Sequence, residues 1–274
     1  MKKKSDIEVI ESDFNQKKVN HIVHYLDNFD TLLKILKDGF APSYCLEIIN
    51  EIDYYIPMTS FCNIPLKDVD LYMRYGKYGI GMSLDWALKN SISPVIYIHK
   101  TTPFKELHSR INSIHLDKMF QKIFNNRKIE DLDNIIENFD YSEYEKTFKE
   151  INNITVPALQ FFKNWKTTYK GKEIITYHER EWRYIPRLEN QNLLLSDEFK
   201  DLKKSIFAKK PHLPQFTLSL TSIDDIRYVL IKDETQRKKV LRVLRTKFGE
   251  NVVVDSILSG KLMIITEDLI KNDF

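Results

Sequence analysis

Hydrophobic positions along this chain alternate between short β-like runs and longer helical stretches. His21-Ile22-Val23-His24-Tyr25 is short and rich in β-favouring residues, and predicts a first strand. Asp30 is placed to cap a helix over Thr31–Lys37, where Leu32, Leu33, Ile35 and Leu36 give a wide apolar face. Gly39 is placed to end that helix in a left-handed conformation. Tyr54–Cys62 reads as a second strand, with Pro57 at its start or on an edge, because proline cannot donate to the ladder. Leu66–Arg74 and Leu84–Asn90 read as short helices, and Pro94–Ile98 as a buried strand.

Three of the seven glycines fall between Gly76 and Gly81. Gly79-Ile80-Gly81 lacks the third spaced glycine and the strand-to-helix context of a dinucleotide fingerprint. Its glycines suit a bulge or a close backbone approach. From Phe104 to Phe124, Ile129 to Phe139 and Tyr144 to Ile151, apolar residues recur at three- and four-residue spacing. Pro157 starts or interrupts a further helix carrying Leu159, Phe161, Phe162 and Trp165. Strand signals return after Gly171. Ile226–Ile231 is a strong strand, and Glu234–Phe248 a strong helix closed by Gly249, with Val240, Leu241, Leu244 and Phe248 inward. Leu262–Ile265 is a last short strand. The expectation is an α+β chain forming one domain over residues 1–274. Its mixed or antiparallel sheet core draws on 19–100 and 170–274, and a helical insertion fills 101–169.

Composition narrows the function classes. Hydrophobic residues make up 42% and aromatics 12%, a globular balance. A net charge of +3 spread over 30% charged residues does not by itself argue for nucleic-acid binding. Local basic features exist at Lys203, Lys204, Lys209 and Lys210, and as a stripe of Lys238, Arg242 and Arg245 on one helix face. That stripe suits phosphate or an acidic partner, and equally a solvated face. Cys45 and Cys62 form no CxxC pair, which points to reduced thiols and no zinc site. His108 and His115 are seven apart, whereas a metal pair on a helix is spaced by four, so no metal is expected. No run approaches the roughly 18 to 20 apolar residues of a membrane span, and the basic N-terminus has no apolar region behind it. A soluble cytoplasmic protein is expected.

The densest chemistry lies in Tyr177-His178-Glu179-Arg180-Glu181-Trp182-Arg183-Tyr184. Read as a strand, Glu179, Glu181 and Arg183 share one face. Two carboxylates so placed repel unless a cation or a hydroxyl-rich ligand lies between them. They line a ligand cleft, or they belong to an ion-pair network with neighbouring strands.

Four pieces of the chain together resemble the AbiGi family of bacterial abortive-infection proteins. They are His24-Tyr25-x4-Asp30-x-Leu32-x2-Ile35-Leu36-x2-Gly39-Phe40; Ile56-Pro57-Met58-Thr59-Ser60-Phe61-Cys62-Asn63-Ile64-Pro65-Leu66; Tyr78-Gly79-Ile80-Gly81 with Pro94-Val95-x-Tyr97; and Glu179-Arg180-Glu181-Trp182-Arg183. The likeness covers roughly residues 20–100 and 170–235. It implies a role in phage defence and, since the family is named as the antitoxin of a two-gene pair, a toxin partner. The opening motif at His24 is also similar to that of ADP-ribosyltransferases of the DarT and RNA phosphotransferase kind. That second likeness implies an ADP-ribosyltransferase-like fold with NAD as cofactor. His24, with its neighbour Tyr25, would hold NAD, and Thr59 and Ser60 (or Tyr78) would shape the nicotinamide pocket. Glu179 or Glu181 would be catalytic, and Arg183 or Arg180 would take a phosphate. A carboxylate beside the anomeric carbon stabilises the oxocarbenium character that develops as nicotinamide leaves. The alternative reading is a non-catalytic antitoxin that neutralises its toxin by binding.

Overall fold

The computed structural model describes residues 19–49, 52–66, 68, 76–99, 101–103, 110, 113, 142–169, 171–188, 194–206 and 212–273. The histidines at 108 and 115, the expected helices between 104 and 139, most of that at 66–74, and Lys209 and Lys210 lie outside the described residues.

In chain order the strands are β1 His21–Leu26, β2 Ser43–Ile49, β3 Ile52–Cys62, β4 Tyr78–Ser83, β5 Ser93–Pro94, β6 Ile96–Ile98, β7 Phe162–Asn164, β8 Lys166–Tyr169, β9 Lys172–Ile175, β10 Glu181–Tyr184, β11 Leu194–Leu195, β12 Ile226–Ile231 and β13 Met263–Thr266. The helices are α1 Phe29–Asp38, α2 Leu84–Lys89, α3 Ser142–Leu159, α4 Ser196–Ile206, α5 Arg237–Phe248, α6 Glu250–Leu258 and α7 Glu267–Asp273. The main sheet runs β13-β12-β4-β1-β3-β10-β5, with β2 and β11 also paired to β3. Its contacts are antiparallel except the parallel β12–β13 pair. The chain is therefore α+β with a mixed sheet.

The face under α1, α2, α5 and α6 carries the largest core, including Ile22, Leu36, Phe61, Met82, Trp86, Val240, Leu244 and Val253. The opposite face holds two smaller clusters, one around Val23, Leu230 and Ile265, the other around Ile56, Met58 and Phe162. Glycine makes the centre of the sheet possible. A β-carbon on Gly81 would lie 2.7 Å from Tyr228 Cδ2, and the β4–β12 register shifts between Ile226 and Tyr228. A close approach and a bulge thus coincide at Gly81.

Several local expectations are corrected. Asn28, not Asp30, caps α1: its side chain accepts hydrogen bonds from the backbone N–H of Asp30 and Thr31. Gly39 does end α1, at φ +100° and ψ −177° rather than in the left-handed helical region. Pro57 lies inside β3, opposite Tyr44, between the residues paired to β11 (Tyr54, Tyr55) and those paired to β10 (Thr59 to Cys62). The expected strand Pro94–Ile98 is two short pieces, one paired to β10 and the other to β7, and Ile96 is exposed. Pro157 lies within α3. Phe162 and Trp165 leave the helix: Phe162–Asn164 pairs in parallel with β6, and the β8–β9 hairpin follows. Their apolar spacing serves a strand, because Phe162 is buried against Ile98 and Leu159.

Candidate functional site

The Tyr177–Tyr184 stretch is not one continuous strand. Thr176–Glu179 forms a 3-10 turn, Arg180 adopts φ 44° and ψ 52°, and only Glu181–Tyr184 continues as β10. The Arg180 carbonyl accepts from the Asn63 N–H, which holds the bend against the end of β3. Glu179 therefore reaches the site from a turn, whereas Glu181 and Arg183 reach it from alternate positions of β10.

All three are buried, with Glu179 3%, Glu181 4% and Arg183 0% exposed. Burial of charge at this level is tolerated only with full pairing. Arg183 Nε donates to Glu181 Oε1 at 2.7 Å, and its Nη2 lies 2.7 Å from Glu47 Oε1 on β2. Arg183 Nη1 donates to the carbonyls of Gln160 at 2.7 Å and Phe162 at 3.3 Å. Lys163 on β7 completes the cluster, 3.0 Å from Glu179 Oε2 and ion-paired with Glu181. The Glu181 N–H donates to Tyr97 Oη at 2.8 Å. Tyr177 packs against both Tyr97 and Trp165, stacked on the latter at 4.5 Å between ring centroids.

The cluster is an alternating chain of charges, Glu47–Arg183–Glu181–Lys163–Glu179. Burial pushes the Glu181 carboxyl up, but the charges and hydrogen bonds of Arg183 and Lys163 outweigh it and hold it down at about 2. Burial pulls the Lys163 ammonium down, and the surrounding glutamates, Glu181 foremost, bring it well above the ordinary lysine range. Tyr97 is raised, chiefly by burial. A carboxyl held at about 2 stays ionised through the neutral range, so Glu181 is no general acid there.

Strand register decides which of the other candidates join this cluster. Partners across an antiparallel pair share a face. Cys62 opposes both Val23 and Glu181, and Ser60 opposes Arg183. Val23, Tyr25, Ser60, Cys62, Glu181 and Arg183 thus lie on one face. His24 falls on the other, edge-on to Phe40 at 5.4 Å and tilted against Phe61 at 5.6 Å, with Nδ1 donating to the Ser60 carbonyl at 2.7 Å. Thr59 and Tyr78 lie on the His24 face, opposite Tyr184 and Leu26 respectively. The positions named for NAD are split by the sheet and form no common cradle. Ser60 Oγ donates to Met58 Sδ at 3.2 Å, and Thr59 Oγ1 is buried without a hydrogen-bond partner among the described residues.

Three contributors had no sequence motif, Lys163, Glu47 and Gln160, and Tyr97 was part of a motif but was not named for the site. Two of the three left a signal in the pattern. Lys163 interrupts Phe161-Phe162-Lys163-Asn164-Trp165, and Glu47 interrupts Cys45-Leu46-Glu47-Ile48-Ile49. A charge that such a segment carries into the interior has to be paired there.

Among the described residues, no three histidine, cysteine or acidic side chains gather as a metal site. No described helix is long and apolar enough to cross a membrane. The stripe residues Lys238, Arg242 and Arg245 stand on the outer face of α5, away from this cluster.

Comparison with known proteins places these features. No solved structure matches the chain. The curated abortive phage resistance protein AbiGi of Lactococcus lactis subsp. cremoris is 27% identical over 247 residues, covering 81% of this chain and 90% of that protein. The family model described as "Putative abortive phage resistance protein AbiGi, antitoxin" matches residues 47–232, which include Glu47, Lys163, Glu179, Glu181 and Arg183. With more than half of its length under that model, the chain belongs to the AbiGi family.

Proposed function

We propose that this chain works in phage defence as a binding protein that engages and restrains a toxin partner, and that its buried carboxylates are a structural hub. The family description as an antitoxin implies the toxin partner. The observation that carries the structural half is the pairing of the carboxylates. Glu181 and Glu179 are answered by Lys163 and Arg183 from inside the protein. A centre that cleaves nicotinamide from ribose needs a carboxylate free to face the anomeric carbon, with the nucleotide-holding histidine in the same cleft. Here the carboxylates are spent on internal cations, and His24 lies across the sheet.

The test uses the purified full-length protein beside a Glu179→Gln/Glu181→Gln double variant, with NAD binding followed by calorimetry and NAD consumption by nicotinamide release. It is paired with co-expression of the product of each flanking gene as the candidate toxin, reading growth arrest, its rescue and co-purification. The expected result is rescue and co-purification with no NAD binding or turnover at millimolar NAD. NAD consumption by the wild type that disappears in an equally folded double variant would overturn the reading and establish an ADP-ribosyltransferase-like enzyme. Failure of the wild type to rescue or to capture the toxin would overturn the binding half.

A further inference from the structure

We propose that the outer face of α5 binds the phosphate backbone of a nucleic acid. The chain as a whole is almost balanced, with 42 Lys and Arg against 39 Asp and Glu. That balance fails on α5. Its 12 residues, Arg-Lys-Lys-Val-Leu-Arg-Val-Leu-Arg-Thr-Lys-Phe, hold six cations and no carboxylate. Val240 and Leu244 fix the helix orientation by burying against the main core. At 100° per residue, the opposite arc presents Lys238, Lys239, Arg242, Arg245 and Thr246, and all five are exposed.

Three of the six cations are already committed. Arg237 is tied to Glu234 and to the Ile264 carbonyl, Lys247 donates to the Lys37 carbonyl, and Arg245 pairs with Glu250 at 3.1 Å. Lys238, Lys239 and Arg242 form no ion pair among the described residues. They are three uncompensated charges side by side, and they raise the local potential whatever the net charge of the chain.

The same arc carries no apolar or aromatic side chain, and this selects the partner class. Protein interfaces are anchored by apolar and aromatic residues at a desolvated centre. Phosphate backbones are instead met by Lys and Arg, which this arc supplies, while the Thr246 hydroxyl is turned back to donate to the Arg242 carbonyl at 2.9 Å. The helix spans about 18 Å, long enough to follow several phosphates.

The experiment measures fluorescence anisotropy of labelled 20-base-pair duplexes, one DNA and one RNA, of arbitrary sequence, against the full-length protein at 50 and 200 mM salt. The comparison is a Lys238→Gln/Arg242→Gln variant, whose fold is checked by circular dichroism. Three phosphate contacts predict about 40-fold weaker DNA binding at the higher salt. The variant should bind at least about tenfold more weakly at low salt and lose most of that salt dependence. Preference between the DNA and RNA arms names the source of the backbone. No binding of either duplex by the folded wild type at 50 mM salt overturns the proposal, as does equal binding by the variant. A variant that keeps duplex binding but loses the co-expressed toxin would reassign this face to the protein partner, and so separates the failure of this inference from that of the toxin-binding reading.

Discussion

Lys163 Nζ lies 3.0 Å from Glu179 Oε2, and the same ammonium also pairs with Glu181. Two carboxylates two residues apart therefore coexist in a buried site because the cation between them comes from a strand 16 residues earlier in the chain. The ligand that such a pair seemed to demand is a side chain of the protein itself. On the other side Arg183 joins Glu181 to Glu47, so one chain of charges ties β2, β7, β10 and the preceding turn together.

Removing the central cation should cost far more than losing a surface ion pair. Lys163→Met would take the ammonium away from buried Glu179 and leave Glu181 to share Arg183 with Glu47, and breaking a buried pair in this way typically costs about 3 to 5 kcal/mol. Urea denaturation of the variant should show a loss in that range. A cycle with Glu181→Gln should give a coupling energy above about 1 kcal/mol, because neutralising the carboxylate removes much of the harm. Additive effects would show that Lys163 and Glu181 are not energetically joined.

Acid should act through Glu181. Its folded-state carboxyl titrates at about 2, below the ordinary glutamate value of 4.5 that it regains when unfolded. The unfolded chain thus takes up the proton first. The stabilisation is complete above pH 4.5 and drains away as pH falls from there toward 2. The contribution is on the order of 3 kcal/mol. Stability against urea measured from pH 6 to pH 2 should fall along this limb for the wild type, and the fall should be shallower in Glu181→Gln. Equal slopes would detach the acid limb from this residue.

Much of the framework was legible because it depends on local patterns. The β1 run, the Ile226–Ile231 strand, the apolar face of α5 and the glycines of β4 each carry their periodicity or conformational need within a few residues. The charge cluster was legible only in half. Glu179, Glu181 and Arg183 stood out by density, but Lys163 and Glu47 come from distant strands, and only pairing register brings them there. The Arg180 bend was hidden as well, since a left-handed arginine has no propensity signal and the bend is held by the Asn63 N–H across the sheet. The α1 cap shows the same limit at short range: Asn28 and Asp30 are both good capping residues, and the choice was settled by where Phe29 joins the helix.

That choice is measurable. Asn28→Ala removes the acceptor for the N–H groups of Asp30 and Thr31 and should cost about 1 kcal/mol. Asp30→Ala removes only a favourable charge from the first turn and should cost about half a kcal/mol or less. Thermal melts of the two variants should rank in that order, and the reverse ranking would return the cap to Asp30.

Gly81 offers a test of the sheet centre. An added methyl would meet Tyr228 at 2.7 Å from Cδ2 and 3.0 Å from Cβ, and the bulge in β12 leaves that ring little room to retreat. Gly81→Ala should cost about 1 to 3 kcal/mol by overpacking. Gly79→Ala meets nothing closer than 3.0 Å, with Leu230 Cδ1 at 3.0 Å, Val23 Cγ1 at 3.1 Å and Leu230 Cγ at 3.4 Å, so its cost should be smaller. Should Gly81→Ala melt with the wild type, the close approach of β4 and β12 at Tyr228 would be wrong.

His24 separates the binding and enzymatic readings most cleanly. Its ring packs against both Phe40 and Phe61, which also touch each other, and its Nδ1–H is used by the Ser60 carbonyl. In a structural role, His24→Ala opens a cavity and strips that carbonyl of its donor, at a cost of about 2 to 4 kcal/mol. The damage then follows the unfolded fraction alone. Toxin capture per folded molecule, read at a temperature well below the variant's melting point, should equal that of the wild type. A residue that held NAD would behave otherwise: the wild type would show NAD-dependent thermal stabilisation, and His24→Ala would abolish it. Equal melting curves with and without millimolar NAD for the wild type, together with a lower melting temperature for His24→Ala, are the expected pair of results. An NAD-induced rise in the wild-type melting temperature that His24→Ala removes would place the nucleotide on the Phe40–Phe61 face of the sheet, away from Glu181.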